Sequence, residues 1–332
     1  MTPILLVSLT LVPIAIAACH MFARIMRSRS IGQSIREVGP SRHASKAGTP
    51  TMGGLVLFAL WLGGVGVILI RHPLEGRALL VLAAGSLFLL LGAADDLLGL
   101  MHRRSLGLSV AWKMFLSTLF VAILFFAFRT CSVEAVLVPF TGIALELPAA
   151  AAFFLAWFAF LGTTHGMNLA DGLDGLASGL AAIALAGILI IRPTPGNLVL
   201  ILPLLGALVG FLWVNAHPAG LFLGDTGSYF LGGVIAAVAW VNGLVFVLPL
   251  LAGVLVLEAV SVILQVGFRR WMGRRLFRMA PIHHHFEEGT GVRERHIVPA
   301  PDWPESKITI RFWILQLVFV AVAVLATRGA TW

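Results

Sequence analysis

Ten apolar segments, each close to the length that a membrane-spanning helix needs, dominate this 332-residue chain. A helix that crosses the bilayer takes roughly 20 predominantly apolar residues. The segments are 3–23, 52–70, 78–95, 111–128, 149–167, 175–191, 197–215, 228–241, 243–268 and 307–327. Hydrophobic residues make up 59% of the chain and charged residues 11%, which excludes a set of water-soluble domains. The sequence therefore predicts an all-α polytopic membrane protein with one domain over residues 1–332.

Lysines and arginines are unequally divided between the two sets of connecting segments. If the segments after the first, third, fifth, seventh and ninth helices face the cytoplasm, 18 of the 23 cations lie on that side. Such an excess is typical of cytoplasmic loops, so we expect both termini to be periplasmic. The net charge of +8 then needs no nucleic-acid partner. The expected cytoplasmic loops are approximately 24–51, 95–110, 167–175, 216–227 and 269–306.

Acidic residues and histidines gather on this same predicted face. Among the aspartates at its helix ends or loops are Asp95, Asp96, Asp171, Asp174 and Asp225. The triplet at 283–285 lies there too. Ionisable groups are costly near hydrocarbon and mark functional sites in membrane proteins. We therefore expect a catalytic surface at the inner membrane interface.

The adjacent acids Asp95 and Asp96 stand where the third apolar run ends. Neighbouring residues on a helix point about 100° apart, so the two carboxylates cannot ligate one ion in the same way. One could approach a metal or phosphate while the other orients a cation or a backbone group. A pair of interfacial acids that ends a helix without any chemistry is the alternative.

Two glycine-rich segments carry the other aspartates. Asp171 and Asp174 are three residues apart and would share one face of a helical turn, although a helix-capping loop also explains them. Asp225 stands in a turn with Gly224 and Gly227 just before a helix. The free N–H groups of such a turn suit phosphate oxygens, and the carboxylate suits Mg²⁺. Capping of the helix by Asp225 is compatible with both roles.

The remaining candidates are cationic or histidine-rich. His283, His284 and His285 lack the i, i+4 spacing of a helical zinc site, so contact with a diphosphate is favoured. The loop 39–54 combines Lys46 with hydroxyls and glycines, and indicates an anion contact or a lipid-headgroup anchor. Acids for Mg²⁺ and cations for phosphates are the groups that phosphoryl transfer requires.

These motifs resemble those of the phospho-N-acetylmuramoyl-pentapeptide transferases, a branch of the polyprenyl-phosphate N-acetylhexosamine-1-phosphate transferases. The resemblance covers nearly the whole chain. The matching pieces are GTPTMGG at 48–54, DD at 95–96, GLSVAWK at 107–113, NLADGLDGLA at 168–177, FLGDTGS at 222–228, EAVSVILQVG at 258–267, RMAPIHHHFE at 278–287 and RFWI at 311–314. The first and the seventh of these pieces point to the muramoyl-pentapeptide branch.

The resemblance implies a fold of ten transmembrane helices and a Mg²⁺-dependent reaction at the cytoplasmic face of the bacterial inner membrane. Phospho-MurNAc-pentapeptide would pass from its UDP carrier to undecaprenyl phosphate, giving lipid I and UMP. The implied catalytic residues are Asp95, Asp96, Asp225, His283, His284 and His285, with Asp225 as the metal ligand. The implied substrate-binding residues are Lys46, Lys113, Asn168, Asp171, Asp174, Asn215 and Phe222, the last by stacking on uracil.

The partners implied are UDP-MurNAc-pentapeptide, undecaprenyl phosphate and membrane lipids, with a homodimer and other cell-wall enzymes left open. The chain departs from the family pattern at Gly99, where Lys is common, at Leu106, where a basic residue is frequent, and at His165, which replaces an Asn. The segment 288–305 is also longer than usual. Three alternatives stay open: a sister enzyme that uses UDP-GlcNAc, a transporter, and an inactive cell-wall scaffold.

Overall fold

A computed structural model of the protein describes residues 2–29, 48–70, 76–102, 107–128, 135–288, 290, 292 and 294–329. Within these residues, ten helices of at least 16 residues follow the ten predicted segments. In chain order the elements are α1 (Thr2–Ser28), α2 (Gly53–Leu69), α3 (Gly76–His102), α4 (Val110–Ala127), β1 (Ala135–Leu137), β2 (Ala144–Glu146), α5 (Ala149–Ala170), α6 (Leu176–Ile191), α7 (Pro195–Asn215), α8 (Gly224–Val241), α9 (Leu248–Leu251), α10 (Gly253–Met272), α11 (His283–Phe286) and α12 (Glu305–Ala326).

The described helices are those of a membrane protein. Six of them, α1, α3, α4, α5, α7 and α12, are long and apolar enough to cross a bilayer, and α2 and α6 are shorter apolar helices. Large apolar side chains are exposed on their outer faces, as Trp112, Phe115 and Phe126 are on α4. An all-α polytopic membrane fold was the sequence prediction, and it is confirmed.

Three predicted helix boundaries near the acidic residues are corrected. Helix α3 continues past Asp95 and Asp96 to His102, because both carboxylates find partners on neighbouring helices. Helix α8 begins at Gly224, so Asp225 lies in its first turn rather than before it. Helix α5 ends at Ala170, which places Asp171 and Asp174 in a connecting turn and not on one face of a helix.

The ninth predicted segment, 243–268, is not one continuous helix. The short α9 contains Pro249, and α10 starts only at Gly253, where a Cβ would lie 2.4 Å from the Phe319 ring on α12. The hairpin of β1 and β2 was not predicted either. It docks on this same connection, since the Leu137 N–H donates to the Gly243 carbonyl at 2.9 Å.

Helix α8 is the central element of the fold. Every residue from Thr226 to Val241 is buried, and α8 packs against α2, α3 and α5. A Cβ on Gly92 of α3 would lie only 2.1 Å from the Asp225 carbonyl oxygen, so the two helices approach closely at this point. Residues four apart share a helix face, and Asp96, four residues after Gly92, therefore meets the N-terminus of α8.

Candidate active site

Four helices each contribute one polar side chain to a cluster at the N-terminus of α8. The Lys113 ammonium on α4 lies between two carboxylates, 2.8 Å from Oδ2 of Asp95 on α3 and 2.7 Å from Oδ2 of Asp225 on α8. Nδ2 of Asn168 on α5 donates to the other Asp225 oxygen at 2.8 Å and lies 3.2 Å from Ser228 Oγ. Hydrogen bonds to ionised groups are the strong ones, so this cluster ties α3, α4, α5 and α8 together.

The segment before α4 places Lys113. The Leu108 N–H donates to Oδ1 of Asp95 at 2.6 Å, and a Cβ on Gly107 would lie 2.2 Å from the Asp95 carbonyl oxygen. Ser109 then caps α4 by accepting from the Trp112 N–H. The chain therefore wraps closely around Asp95 and begins a helix whose first turn brings Lys113 back to the same carboxylate.

Asp96 has a different set of partners. Its carboxylate accepts from the backbone N–H groups of Asp225 at 3.2 Å and Thr226 at 2.9 Å, and from Oγ1 of Thr226 at 2.6 Å. A carboxylate at a helix N-terminus satisfies free N–H donors and interacts favourably with the helix dipole. Asp96 thus holds the backbone of Asp225 in place, while Asp95 holds Lys113.

His165 lies on the inner side of this cluster. Its Nδ1 is 3.2 Å from the Tyr229 hydroxyl, and its Nε2 is 3.5 Å from Ser117 Oγ, one helical turn after Lys113. The Lys113 ammonium is 5.7 Å from the centroid of the Tyr229 ring. The imidazole therefore links α4, α5 and α8 directly beneath the charged groups.

The donor set of this cluster fits the Mg²⁺ ion that the resemblance implies. Magnesium prefers carboxylate oxygens and keeps several waters, and Asp95 and Asp225 present carboxylate oxygens to one shared cation, the Lys113 ammonium. Among the described residues, one group of three metal-capable side chains also occurs elsewhere, at Asp174, His217 and Glu305. Because Nδ1 of His217 is 3.0 Å from Asp174 Oδ2, a hydrogen bond already explains that group.

A cavity of about 380 Å³ lies among the segments that precede α2, α8 and α12. It is lined by Thr49, Asp174, His217, Pro218, Ala219, Phe222, Glu287, Glu288, Pro304, Glu305 and Ser306. Phe222 stands three residues before Asp225, and its N–H donates to the Pro50 carbonyl at 2.8 Å. This pairing continues through Gly53 and Gly54, whose N–H groups donate to the carbonyls of Phe222 and Leu223. The motif at 48–54 therefore supports one wall of the cavity.

Asp174 organises the opposite wall. Its Oδ2 accepts from the Ala219 N–H at 3.1 Å and lies 3.0 Å from Nδ1 of His217. Its own N–H donates to Oε1 of Glu305 at 2.6 Å, and its carbonyl accepts from Oγ1 of Thr309 at 3.2 Å. The turn after α5, the segment before α8 and the start of α12 are thus joined at one buried acid.

The three histidines have three different environments. His283 is fully buried against Glu258 of α10, and Nδ1 of His284 is 2.7 Å from Oε2 of Glu287. Nδ1 of His285 accepts from the Arg278 N–H at 3.0 Å. A Cβ on Gly172 would lie 2.4 Å from Nε2 of His283, so this segment packs directly on the turn after α5.

We expect the burial of His285 to make the folded state sensitive to acid. Burial lowers the pKa of His285, a backbone contact with Pro299 opposes this shift, and the charges of His296 and Arg278 add to it. Unfolded histidine binds a proton below about pH 6.5, whereas the folded ring binds it only at a lower pH, so the free energy of unfolding should fall as the pH drops below that value. We expect a lower unfolding midpoint at about pH 5.5 than at about pH 7.5. The unfolding midpoint of a His285→Gln variant, which can still accept from the Arg278 N–H, should fall less over the same pH change. An identical pH dependence in both proteins would contradict the assignment to His285.

The structure brings most of the sequence-derived candidates together around α8. Asp95, Asp96, Lys113, Asn168 and Asp225 form the cluster described above, and Asp174 and Phe222 line the cavity. Asp171 caps the C-terminus of α5 between these two groups. Lys46 lies outside the described residues.

Asn215 has a position of another kind. Its side chain is buried, accepting from Ser178 Oγ at 2.7 Å and donating to the Leu221 carbonyl at 2.9 Å. It therefore joins α6 to the segment that leads to Phe222, and its substrate-binding role stays a prediction.

Three site residues were not identified from the sequence. His217 and Glu305 line the cavity, but they stand in polar connections where nothing in the local pattern distinguishes them. Glu258 carried a usable signal, because an acid within a predicted span is rare and usually functional. It contacts His283 across 25 residues of chain.

The similarity of this chain to known proteins agrees with this geometry. A family model described as glycosyl transferase family 4 matches residues 78–242, and a phospho-N-acetylmuramoyl-pentapeptide-transferase signature matches residues 46–58. Relatives named phospho-N-acetylmuramoyl-pentapeptide-transferase match nearly the whole chain. The relative from Desulforamulus reducens is 37% identical over 97% of this chain and 93% of its own length. Those from Rubrobacter xylanophilus and Geobacillus kaustophilus are 38% and 37% identical, over 92% and 94% of this chain and 91% and 94% of their own lengths.

The helical membrane fold and the match to glycosyl transferase family 4 define an integral membrane glycosyl-1-phosphate transferase. The matches extend over nearly the whole chain and through every part of the cluster. The chain belongs to the phospho-N-acetylmuramoyl-pentapeptide transferase family, as the resemblance had indicated. It is an enzyme, and of the open alternatives a transporter is excluded.

Proposed function

We propose that this enzyme transfers phospho-MurNAc-pentapeptide from UDP-MurNAc-pentapeptide to undecaprenyl phosphate, releasing UMP and forming lipid I. The observation that carries the proposal is the position of Asp225, which shares Lys113 with Asp95 and stands three residues after Phe222 of the cavity. A nucleotide base in that cavity would place its phosphates toward the cluster. The names of the relatives supply the sugar-peptide part of the donor.

The reaction we infer is a single displacement. An oxygen of the lipid phosphate attacks the β-phosphorus of the donor, and the bond from that phosphorus to the bridging oxygen breaks, so that UMP leaves with the bridging oxygen. A phosphate monoester has its second pKa near about 6 and is mostly ionised at neutral pH. The attacking oxygen therefore needs no strong base, and the acids act by placing charges.

Each residue of the cluster has a separate role in this reaction. Lys113 supplies positive charge next to the transferred phosphate, Asn168 fixes the Asp225 carboxylate, and Asp96 fixes its backbone. Mg²⁺ held by Asp225 would supply neutralisation of the charge on the leaving phosphates when bound. The side chain of Phe222 and the wall built on Asp174 would hold the nucleoside.

The distribution of cations supports a location in the bacterial inner membrane with this site facing the cytoplasm. Residue Arg274, exposed just after α10, offers a test of that orientation. In a background with Cys19 and Cys131 replaced by serine, a cysteine introduced there should react with a membrane-impermeant thiol reagent in inside-out vesicles and not in intact spheroplasts. The reverse pattern would overturn the orientation.

UMP release from detergent-purified protein tests the proposed reaction. The protein would receive undecaprenyl phosphate and Mg²⁺ together with either UDP-MurNAc-pentapeptide or UDP-GlcNAc. UMP from the muramoyl donor alone is the expected result, whereas UMP from UDP-GlcNAc alone would assign the chain to a sister reaction. A phospho-MurNAc adduct of the protein, trapped without lipid acceptor, would contradict the single displacement.

Phe222 allows a separate prediction for nucleotide binding. Stacking of a base on an aromatic ring is worth about 1–3 kcal/mol, so Phe222→Leu should raise KM for the donor about tenfold with a smaller change in kcat. The backbone bond from residue 222 to Pro50 does not depend on the side chain. Phe222→Tyr keeps the aromatic face and serves as the control; equal KM values for all three proteins would argue against stacking.

A further inference from the structure

Glu258 is an acid that the proposed reaction does not use. It stands on α10, and both its side chain and that of His283 are 0% exposed. A buried carboxylate is tolerated only when it is paired or hydrogen-bonded. Oε1 of Glu258 lies 3.1 Å from Nδ1 of His283, and neither of these two atoms has a hydrogen-bond partner among the described residues. Oε2 of Glu258 lies 3.5 Å from the backbone nitrogen of His283.

The opposite edge of the His283 ring faces the turn after α5. Its Nε2 has no hydrogen-bond partner among the described residues, and a Cβ on Gly172 would lie 2.4 Å from it. The same Cβ would be 3.3 Å from Nε2 of His284, whose ring centroid is 4.0 Å from that of His283. Both imidazoles therefore lie directly on this turn.

That turn connects the two halves of the site. Asn168, just before it, donates to Asp225, and Asp174, at its other end, forms the wall of the cavity. A shift of the His283 ring would move Gly172 and so change the spacing between cluster and cavity. The group that orients the His283 ring therefore also sets the spacing between the cluster and the cavity.

We propose that Glu258 is a positioning residue, whose buried carboxylate keeps a proton on the adjacent Nδ1 of His283 and thereby sets the tautomer and orientation of this ring. A carboxylate partner commonly fixes which nitrogen of a histidine carries the proton. The pairing leaves Nε2 of His283 facing Gly172 and holds His284 against the turn. The effect of this pairing on kcat rests on the proposed function, whereas its effect on the tautomer of His283 does not.

Histidine ¹⁵N spectra of the full-length protein in lipid bilayers test the pairing without reference to activity. The His283 signal, assigned by its loss in a His283→Asn variant, should show a protonated Nδ1 in the wild type. Glu258→Gln, whose amide oxygen can still accept, should keep that signal, and Glu258→Leu should lose it. An unprotonated Nδ1 in the wild type would overturn the proposal.

A matched control comes from the same helix. Gln265 is also buried on α10 and bonds to the backbone of Leu276 and Phe277, without touching His283. Gln265→Leu therefore removes a comparable buried polar group and should leave the His283 signal unchanged. A shift of the signal in this variant equal to that in Glu258→Leu would reduce Glu258 to general stabilisation of α10 and overturn its positioning role.

Steady-state kinetics of UMP release test the effect of Glu258 on the reaction. Loss of a residue that orients a functional side chain typically costs about 10- to 100-fold in activity, so Glu258→Leu should lower kcat for UMP release by that factor, with KM for the donor less affected. Glu258→Gln should restore kcat to near the wild-type value. Unchanged kcat in Glu258→Leu would contradict the proposal. Absence of UMP release from the wild type would count against the proposed function alone, since the spectra judge the pairing independently.

Discussion

An Asp225→Asn variant is expected to release UMP at least about a hundredfold more slowly than the wild type, with a modest fall in its unfolding midpoint. The substitution keeps the size of the side chain, and its amide oxygen can still accept from Asn168. Its NH₂ group, however, would face the Lys113 ammonium, where the wild type has a carboxylate oxygen at 2.7 Å. Two donors then oppose each other, and the negative charge that would hold Mg²⁺ is lost.

Two measurements separate this effect from a general loss of structure. Lys113 keeps its second partner, Asp95, so the tie between α3 and α4 persists and the purified variant should stay monodisperse. Glu146→Gln, an equivalent acid-to-amide change on the exposed strand β2, should leave UMP release unaltered. An Asp225→Asn protein with wild-type kcat would remove Asp225 from the catalytic role assigned to it.

The order of the long helices was accessible from the sequence, because the membrane imposes a length on each apolar segment. Boundaries were least accurate where a polar residue is paired inside the fold. Asp95 and Asp96 ended the third predicted segment, yet their partners on α4 and α8 allow α3 to continue to His102. Hydropathy along the chain has no information about such partners, since they lie 18 and 130 residues away.

The candidate site was predictable where its functional residues stand in short sequence motifs. The motif at 222–228 and the adjacent acids at 95–96 pointed to Asp225 and its neighbours before any geometry was known. The division of labour between Asp95 and Asp96 required the structure, because only the packing of Gly92 on Asp225 shows which acid reaches α8. His217 and Glu305 become site residues only through Asp174, whose contacts span three separate parts of the chain.

Asp96→Asn should lower both kcat and the unfolding midpoint, and the midpoint should fall further than in Asp225→Asn. The carboxylate accepts three hydrogen bonds from Asp225 and Thr226, and one amide oxygen cannot replace both carboxylate oxygens. Loss of a helix cap costs about 0.5–2 kcal/mol, and loss of the charge at the helix N-terminus adds about 0.3–1 kcal/mol. Asp225 is the first residue whose backbone loses its hydrogen bond to Asp96. We therefore expect kcat to fall by at least about tenfold, the lower end of what loss of an orienting group costs.

Thr226→Val provides the partial version of this change. It removes the hydroxyl that bonds to Asp96 at 2.6 Å and keeps the backbone N–H that bonds at 2.9 Å. If Asp96 acts by holding the backbone of α8, Thr226→Val should lower the unfolding midpoint slightly and leave kcat within about threefold of the wild type, because a single neutral hydrogen bond contributes only about 0.5–1.5 kcal/mol. If Asp96 instead acts directly on substrate, Asp96→Asn would lose about a hundredfold or more in kcat, as Asp225→Asn does, for the same fall in the midpoint. Thermal unfolding and UMP release measured on the same two purified variants therefore distinguish an acid that orders α8 from one that takes part in the transfer.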